Sequence, residues 1–200
     1  MKILGLTGPS GAGKGAACAI FAAYGIPSID TDCVYHKLLE TDADLTAELT
    51  DSFGSAILSN GKVDRKKLGA AVFGHSDTEQ RLHILNGITH KYVLKRTAAL
   101  TAELEQQGAR AVLIDAPQLF EAKMEGSCDL VVGVLADTDV RLARILKRDC
   151  ITEEAAMKRI NAQKPAYFFR QHCDVILENN GDLASLQAQI NALLNETGLL

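Results

Sequence analysis

The sequence has no tryptophan, no C-x-x-C pair and no excess of positive charge. Its five cysteines are odd in number and scattered, which argues against a disulfide framework and against a zinc site. They are Cys18, Cys33, Cys128, Cys150 and Cys173. We expect free thiols in a reducing compartment. The net charge of −4 gives no electrostatic reason to expect nucleic acid or a membrane surface as a partner.

Long hydrophobic runs are also missing. No stretch reaches about 18 uninterrupted apolar residues, the length that a membrane-spanning helix needs. The opening residues, MKILGLTG, pass from a short apolar run into glycines and are too short for the apolar region of a signal peptide. We therefore expect a cytoplasmic protein. Its 200 residues fit one α/β domain with room for an inserted subdomain.

Short apolar runs alternate with helical segments along much of the chain. They predict strands over residues 2–7, 26–29, 110–115, 130–135 and 175–177. Helices are predicted over 13–24, 139–149, 152–163 and 183–194. Between them, residues 34–107 are charged and favour helix, which indicates a mostly helical insertion. Five short strands separated by helices imply a parallel sheet covered on both faces.

Residues 8–17, GPSGAGKGAA, lie directly between the first strand and the first helix. Glycines allow successive N–H groups to converge on one anion, and the positive end of the following helix favours negative charge. Gly8, Gly11, Gly13 and Lys14 match the phosphate-binding pattern G-x-x-x-x-G-K-[ST]. The spacing and context predict a nucleotide phosphate loop rather than a glycine-rich turn with a surface lysine.

The residue after the lysine departs from that pattern. Gly15 stands where a serine or threonine would supply a Mg²⁺ ligand, and Ala16 follows it. Mg²⁺ commonly keeps several waters and takes much of its coordination from nucleotide phosphates. We therefore expect phosphate binding to survive, with positioning of the metal weakened.

Two further groups of side chains carry candidate chemistry. Asp30 and Asp32 follow the second strand at the sheet edge where ligands bind. A carboxylate there can accept a proton or help orient a metal ion. The alternative role is that of a helix cap. We favour function for Asp32 and leave Asp30 open. Asp115 ends the third strand and either orients Mg²⁺ through water or caps the turn before Pro117.

Arg141, Arg144 and Arg148 are spaced three and four residues apart and share one helix face. Three cations on one face suit a lid that closes over a nucleotide and stabilises charge in the transition state. A solvated face paired with neighbouring acidic residues is the alternative.

Taken together, these motifs resemble the dephospho-CoA kinase family over nearly the whole chain. The matching elements, in chain order, are G-L-T-G and G-A-G-K, Ile29-Asp30-Thr31-Asp32, Phe53-Gly54, Ile57-Leu58, Gly61, Asp64-Arg65, Leu68, Val72-Phe73, Ile88-Thr89-His90, Asp115 to Glu121, Arg141, Arg144, Arg148-Asp149, Glu154-Ala155, Gln163, and Asp174-Val175-Ile176 with Asn179 and Gly181. The departures are Pro9, Ser10, Ala12, Gly15 and Ala16 in the loop, Lys91 in place of a proline, Gln118 in place of a leucine, and the segment from Tyr167 to His172.

The resemblance implies a P-loop NTPase/kinase three-layer α/β fold with a five-stranded parallel sheet, a helical substrate-binding insertion and a small lid. Residues 1–36 and 108–200 would form the nucleotide-binding core, with the lid at about 139–165 and the insertion at 37–107. The implied reaction transfers the γ-phosphoryl of ATP, with Mg²⁺, to the ribose 3′-hydroxyl of dephospho-CoA. That is the last step of coenzyme A synthesis.

The resemblance also assigns roles to particular residues. Asp32 would be the base facing the acceptor hydroxyl, and Arg65 and His90 would contact the acceptor, each with an ordinary structural role as the alternative. Lys14 and Arg144 would act on the transferred phosphoryl. The nucleotide would be held by Gly8, Gly11, Ala12, Gly13, Lys14, Gly15, Ala16, Arg144 and Arg148. No residue would be a dedicated metal ligand.

Two other functions remain open at this point. The loop G-A-G-K-G is similar to that of adenylate kinases, which suggests a nucleoside-monophosphate-type kinase. The missing hydroxyl at Gly15 suggests a nucleotide-binding regulator without catalysis. For the dephospho-CoA kinase interpretation we expect the small-molecule substrate dephospho-CoA as the partner, no nucleic acid or membrane partner, and a monomer or weak homo-oligomer.

Overall fold

The computed structural model describes all residues from Met1 to Leu200. Its strands are β1 (Lys2–Thr7), β2 (Ser28–Asp30), β3 (Leu58–Ser59), β4 (Lys62–Val63), β5 (Ala111–Asp115), β6 (Leu130–Leu135) and β7 (Val175–Glu178). Its helices are α1 (Lys14–Ala23), α2 (Thr31–Thr41), α3 (Ala43–Phe53), α4 (Arg65–Val72), α5 (Thr78–Gln106), α6 (Thr138–Asp149), α7 (Glu153–Asn161), α8 (Ala166–His172) and α9 (Leu183–Glu196).

Five strands form a parallel sheet, as the sequence predicts, and their order is β2-β5-β1-β6-β7. The central strand β1 pairs with β5 on one side, where Leu6 lies opposite Asp115, and with β6 on the other, where Thr7 lies opposite Gly133. The carboxyl ends of parallel strands meet at one edge. The glycine loop leaves β1 at that edge, in the middle of the sheet.

One face of the sheet is covered by α1 and α9. Leu4 and Leu6 of β1 pack there with Phe21 of α1 and Ile190 of α9, and all four are at least 99% buried. Full burial of such side chains stabilises the fold by about 1.5–3 kcal/mol each. This packing fixes the direction of α1, and therefore the position of its N-terminus beside the loop.

Two strand glycines make room for two cysteines. A Cβ on Gly5 would lie 2.8 Å from Cys128 Sγ, and one on Gly133 would lie 2.9 Å from Cys173 Sγ. Burial raises the pKa of each of these thiols to about 11. Both cysteines are free thiols that fill space against the sheet.

The chain forms two compact units. One consists of Met1–Ile29 and Ala102–Leu200 and contains the glycine loop and the arginine-bearing helix α6. The other is Asp30–Thr101. Within the first unit, α6 and α7 share an apolar cluster of Ile145, Ala156 and Ile160.

The unit Asp30–Thr101 is mostly helical, and aspartates begin three of its helices. Asp30, Asp42 and Asp64 each accept a hydrogen bond from a backbone N–H in the first turn that follows. The unit also contains an antiparallel hairpin of β3 and β4 that patterning does not predict. Its turn is Asn60-Gly61, both at positive φ, a pair that favours two-residue hairpins.

The helix α8 is a second element outside the predicted set. It begins after Pro165, and three of its residues are aromatic. No helix of the molecule has both the length and the apolar character that crossing a bilayer requires.

Candidate phosphate-binding site

The loop after β1 is built on three glycines with positive φ: +142° at Gly8, +82° at Gly11 and +104° at Gly13. Side chains are also excluded there by space. A Cβ on Gly8 would lie 2.2 Å from the carbonyl oxygen of Val134, and one on Gly11 would lie 2.8 Å from that of Arg141. The backbone therefore approaches its neighbours as closely as glycine allows, as a phosphate-cradling loop requires.

Lys14 is the first residue of α1 and folds back over this loop. Its Nζ donates to the carbonyl oxygen of Gly8 at 3.0 Å. The N–H groups in the first turn of a helix have no partner within the helix, and the helix dipole adds positive potential at that end. The predicted lysine and the helix N-terminus thus lie at one place.

Asn179 holds the loop from the end of β7. Its Nδ2 donates to the carbonyl oxygen of Ala12 at 2.8 Å, and both residues are buried. The sequence singles out Asn179 only as part of the family resemblance. Its strand is predicted, but its contact with a loop that precedes it by 167 residues is not.

The predicted arginine face lies against the same loop. Arg144 donates from one guanidinium nitrogen to the carbonyl oxygens of Gly11 and Ala12, both at 3.3 Å. Arg148 donates to Ser10 Oγ at 3.2 Å. Both residues are therefore placed beside the predicted phosphate site in this structure.

Arg141, whose role the sequence leaves open, is only 7% exposed. Its Nε donates to the carbonyl oxygen of Ser10 at 2.9 Å, and another nitrogen donates to Gln163 Oε1 at 2.9 Å. Burial lowers the pKa of this guanidinium. Arg141 thus supports the backbone of the loop instead of forming part of a solvated face.

An acidic residue holds the outer end of the arginine face. Asp149 accepts two hydrogen bonds from Arg148, at 2.7 and 3.0 Å, and one from Arg159. These bonds lower the pKa of Asp149 to about 2. The carboxylate is therefore charged at any physiological pH and joins α6 to α7.

At Gly15, where the loop departs from the usual pattern, the structure has room for a side chain. Gly15 is exposed, its φ is not positive, and no heavy atom lies within 4 Å of an added Cβ. Nothing in the fold excludes a serine at this position. No group of three His, Cys, Asp or Glu side chains is arranged to hold a metal ion.

Asp115 lies beside α1 at the carboxyl end of β5. Its Oδ2 accepts a hydrogen bond from Cys18 Sγ at 3.5 Å. This carboxylate therefore belongs to the same sheet edge and the same unit as the loop. The sequence predicts its strand position, but the contact with Cys18 comes from tertiary packing alone.

In the unit Asp30–Thr101, the two aspartates Asp30 and Asp32, at the end of β2 and just after it, have different roles. Asp30 is the N-cap of α2, and its Oδ1 accepts from the N–H of Cys33 at 3.0 Å. Asp32 lies in the first turn of α2 and is exposed. The cap is thus formed by Asp30, while the carboxylate of Asp32 faces solvent.

The other two candidates of this unit lie on α4 and α5. Arg65 is the first residue of α4 and is exposed. Burial raises the pKa of Tyr35, and the positive charge of Arg65 opposes this by lowering it. His90 is half-buried in the middle of α5. Its neighbour Lys91 forms an ion pair with Glu48 of α3 at 2.6 Å. Lys91 therefore joins α5 to α3.

Four features together define a class of protein. They are the parallel sheet, the glycine loop on its central strand, the lysine at the start of the next helix and the arginines against the loop. This class is the P-loop fold of small-molecule kinases, which hold nucleotide phosphates at such loops. The comparisons narrow this class to one family.

The family model for dephospho-CoA kinase matches residues 2–185. The dephospho-CoA kinase of Arabidopsis thaliana is 36% identical over 200 residues, covering 98% of this chain and 84% of that protein. That of Geobacillus kaustophilus is 34% identical over 194 residues, covering 96% and 95%. The crystal structure of TT1252 from Thermus thermophilus matches with a TM-score of 0.79 at 30% identity, covering 98% and 97%. The chain belongs to the dephospho-CoA kinase family.

Proposed function

We propose that this protein transfers the γ-phosphoryl group of ATP to the ribose 3′-hydroxyl of dephospho-CoA, giving CoA and ADP. The observation that carries the proposal is the phosphate loop, formed by three positive-φ glycines and closed by Lys14, in a chain of this family. Phosphoryl transfer depends mainly on positioning and charge stabilisation, and this loop serves both.

On the nucleotide side, the backbone from Gly8 to Ala16 and the Lys14 ammonium hold the phosphates. Arg144 and Arg148 already contact Ser10, Gly11 and Ala12 through their guanidinium groups. A short movement would carry these cations from loop oxygens to phosphoryl oxygens. There they would neutralise the charge that develops on transfer, with residues 139–165 acting as the lid.

On the acceptor side, Asp32 accepts the proton of the attacking hydroxyl. Its exposed carboxylate at the start of α2 is not used as a cap, because Asp30 performs that task. Arg65 and His90 contact the acceptor, which binds to the helical insertion, residues 37–107.

The residues of the loop suit a metal ion that arrives with the nucleotide. No cluster of carboxylates competes for it, and Gly15 has no side-chain oxygen to offer. Bound Mg²⁺ would supply charge neutralisation at the phosphates. Asp115, at the end of β5, would orient its water molecules.

The test is an acceptor screen with labelled ATP. We expect phosphorylation of dephospho-CoA and none of AMP or CMP. Phosphorylation of AMP or CMP without dephospho-CoA would identify a nucleoside-monophosphate-type kinase. ATP binding without turnover across Mg²⁺ and Mn²⁺ titrations would identify a non-catalytic regulator. We expect the enzyme to act in the cytoplasm as a monomer or weak homo-oligomer, without nucleic-acid partners.

A further inference from the structure

A closed ring of three hydrogen bonds surrounds the peptide groups of Ser10 in the phosphate loop. The N–H of Ser10 donates to Gln163 Oε1 at 3.0 Å, and its carbonyl oxygen accepts from Arg141 Nε at 2.9 Å. Arg141 closes the ring by donating to the same Gln163 oxygen at 2.9 Å. Both sides of one loop residue are thus held by side chains distant in sequence.

The ring is unusual in its charge. Arg141 is 93% buried, and its pKa is lowered by burial, with no neighbouring carboxylate opposing that shift. A buried cation is unfavourable unless its donors are satisfied. Here two of the N–H donors of Arg141 bond to neutral oxygens, those of Ser10 and Gln163. The cation is therefore held beside the loop by hydrogen bonds to neutral groups, and its placement depends on the oxygens of Ser10 and Gln163.

The ring also joins two parts of the chain. Arg141 belongs to α6, and Gln163 lies just beyond the end of α7. The same helix α6 carries Arg144 and Arg148, which contact the loop one and two turns further along. Gln163 and Arg141, which together hold the N–H and the carbonyl oxygen of Ser10, therefore also set the distance between the loop and the arginine face.

We propose that Gln163 is a positioning residue for nucleotide binding. Its oxygen, shared between the Ser10 N–H and Arg141, fixes the backbone of the loop and holds α6 against it. The inference rests on the proposed function for its role in turnover, but its first consequence is nucleotide affinity, which is measured without an acceptor.

The experiment compares two substitutions of Gln163. Gln163→Met keeps the length of the side chain and removes the acceptor oxygen, while Gln163→Glu keeps an oxygen that accepts both bonds. Titration calorimetry with ATP and Mg²⁺ should show Kd raised about tenfold in Gln163→Met. In Gln163→Glu it should stay within about threefold of the parent. KM for ATP should follow Kd, and KM for dephospho-CoA should not change.

Asp129→Leu is the matched control. Asp129 Oδ2 also accepts from a distant backbone N–H, that of Ile3 at 2.7 Å, but at the amino edge of the sheet. This substitution should lower Tm and leave the Kd for ATP unchanged. Arg141→Lys is a second test, because a single ammonium cannot replace the two-nitrogen contact, and it should weaken ATP binding as Gln163→Met does.

The inference is overturned if Gln163→Met lowers Tm as Asp129→Leu does while its Kd for ATP stays that of the parent. It is also overturned if Gln163→Glu and Gln163→Met weaken ATP binding equally. If the parent binds ATP but does not phosphorylate dephospho-CoA, the proposed function fails. The calorimetric comparison still decides the role of Gln163.

Discussion

The amide nitrogen of Asn179 lies 2.1 Å from the position that a Cβ on Gly13 would occupy. The same nitrogen donates to the carbonyl oxygen of Ala12 at 2.8 Å. The Asn179 side chain thus occupies the space that a side chain at position 13 would need, so its hydrogen bond to the loop requires glycine at that position.

Gly13→Ala should therefore damage both folding and nucleotide binding. The residue would be strained at φ +104°, and Asn179 would have to give up its bond to Ala12. Strain and the lost bond together lower the free energy of unfolding by about 2–4 kcal/mol. ATP affinity should fall at least tenfold, as measured by calorimetry beside urea denaturation.

Gly25→Ala is the control that separates backbone strain from the steric clash with Asn179. Gly25 has φ +77°, but no heavy atom lies within 4 Å of an added Cβ. It should cost about 1 kcal/mol of stability and leave ATP affinity unchanged. An ATP affinity in Gly13→Ala equal to that of Gly25→Ala would contradict the role of the Asn179 contact.

Gly15→Ser should restore a hydroxyl that the fold has room for. Because an added Cβ meets nothing within 4 Å, we expect stability to change by less than about 0.5 kcal/mol. The Mg²⁺ concentration for half-maximal activity should fall severalfold, since the hydroxyl adds a direct ligand. Gly15→Ala is the control for the added carbon, and identical Mg²⁺ curves for the two variants would show that the hydroxyl has no effect here.

Asp32→Asn should lower kcat by about 10²- to 10⁴-fold, the usual contribution of a general base, with KM for ATP unchanged. Steady-state kinetics with dephospho-CoA measures both. Asp30→Asn is the matched control, because asparagine caps a helix as well as aspartate does and the capping bond from the Cys33 N–H is kept. Equal losses of kcat in the two variants would assign the effect to the charge of the pair and not to Asp32.

The cysteines should react with iodoacetamide in two groups. Cys33 and Cys150 are exposed, whereas burial raises the pKa of Cys128 and Cys173 to about 11. At pH 8 the buried pair is protonated, so peptide mass spectrometry should find Cys33 and Cys150 labelled first. Cys18 is half-buried beside Asp115 and should not exceed them.

The same shifts predict a loss of stability at alkaline pH. The raised pKa means that the folded state holds the thiol protons more tightly than the unfolded state does. Their contribution is complete below the ordinary thiol pKa of 9.0 and is lost as the pH rises towards 11. Cys128→Ala with Cys173→Ala should flatten the decline of Tm over that range, and an unchanged decline would contradict the assignment.

The central sheet was predictable because its strands are buried on both sides. Each reads as a short, nearly continuous apolar run, and the strands 2–7 and 130–135 agree residue for residue. The hairpin of β3 and β4 escapes this approach, because two-residue strands show no periodicity. Only Asn60-Gly61 marks it.

Prediction of the site divides in the same way. The glycine loop and Lys14 are local in sequence, so their spacing alone predicts them. Asn179 and Gln163 hold that loop from 167 and 153 residues away. A single polar side chain in a loop gives no periodic signal, and its partner is decided only when β7 pairs with β6 and α7 packs on α6.

The carbonyl oxygens of the phosphate loop are bonded to side-chain donors. Its carbonyl oxygens at Gly8, Ser10, Gly11 and Ala12 all accept from side-chain donors, which come from Lys14, Arg141, Arg144 and Asn179. A carbonyl oxygen is the atom to which a bare cation would bind. Because those oxygens already accept hydrogen bonds from protein donors, the loop favours anionic ligands over cations. A potassium or sodium ion would have to compete with these donors for the same oxygens.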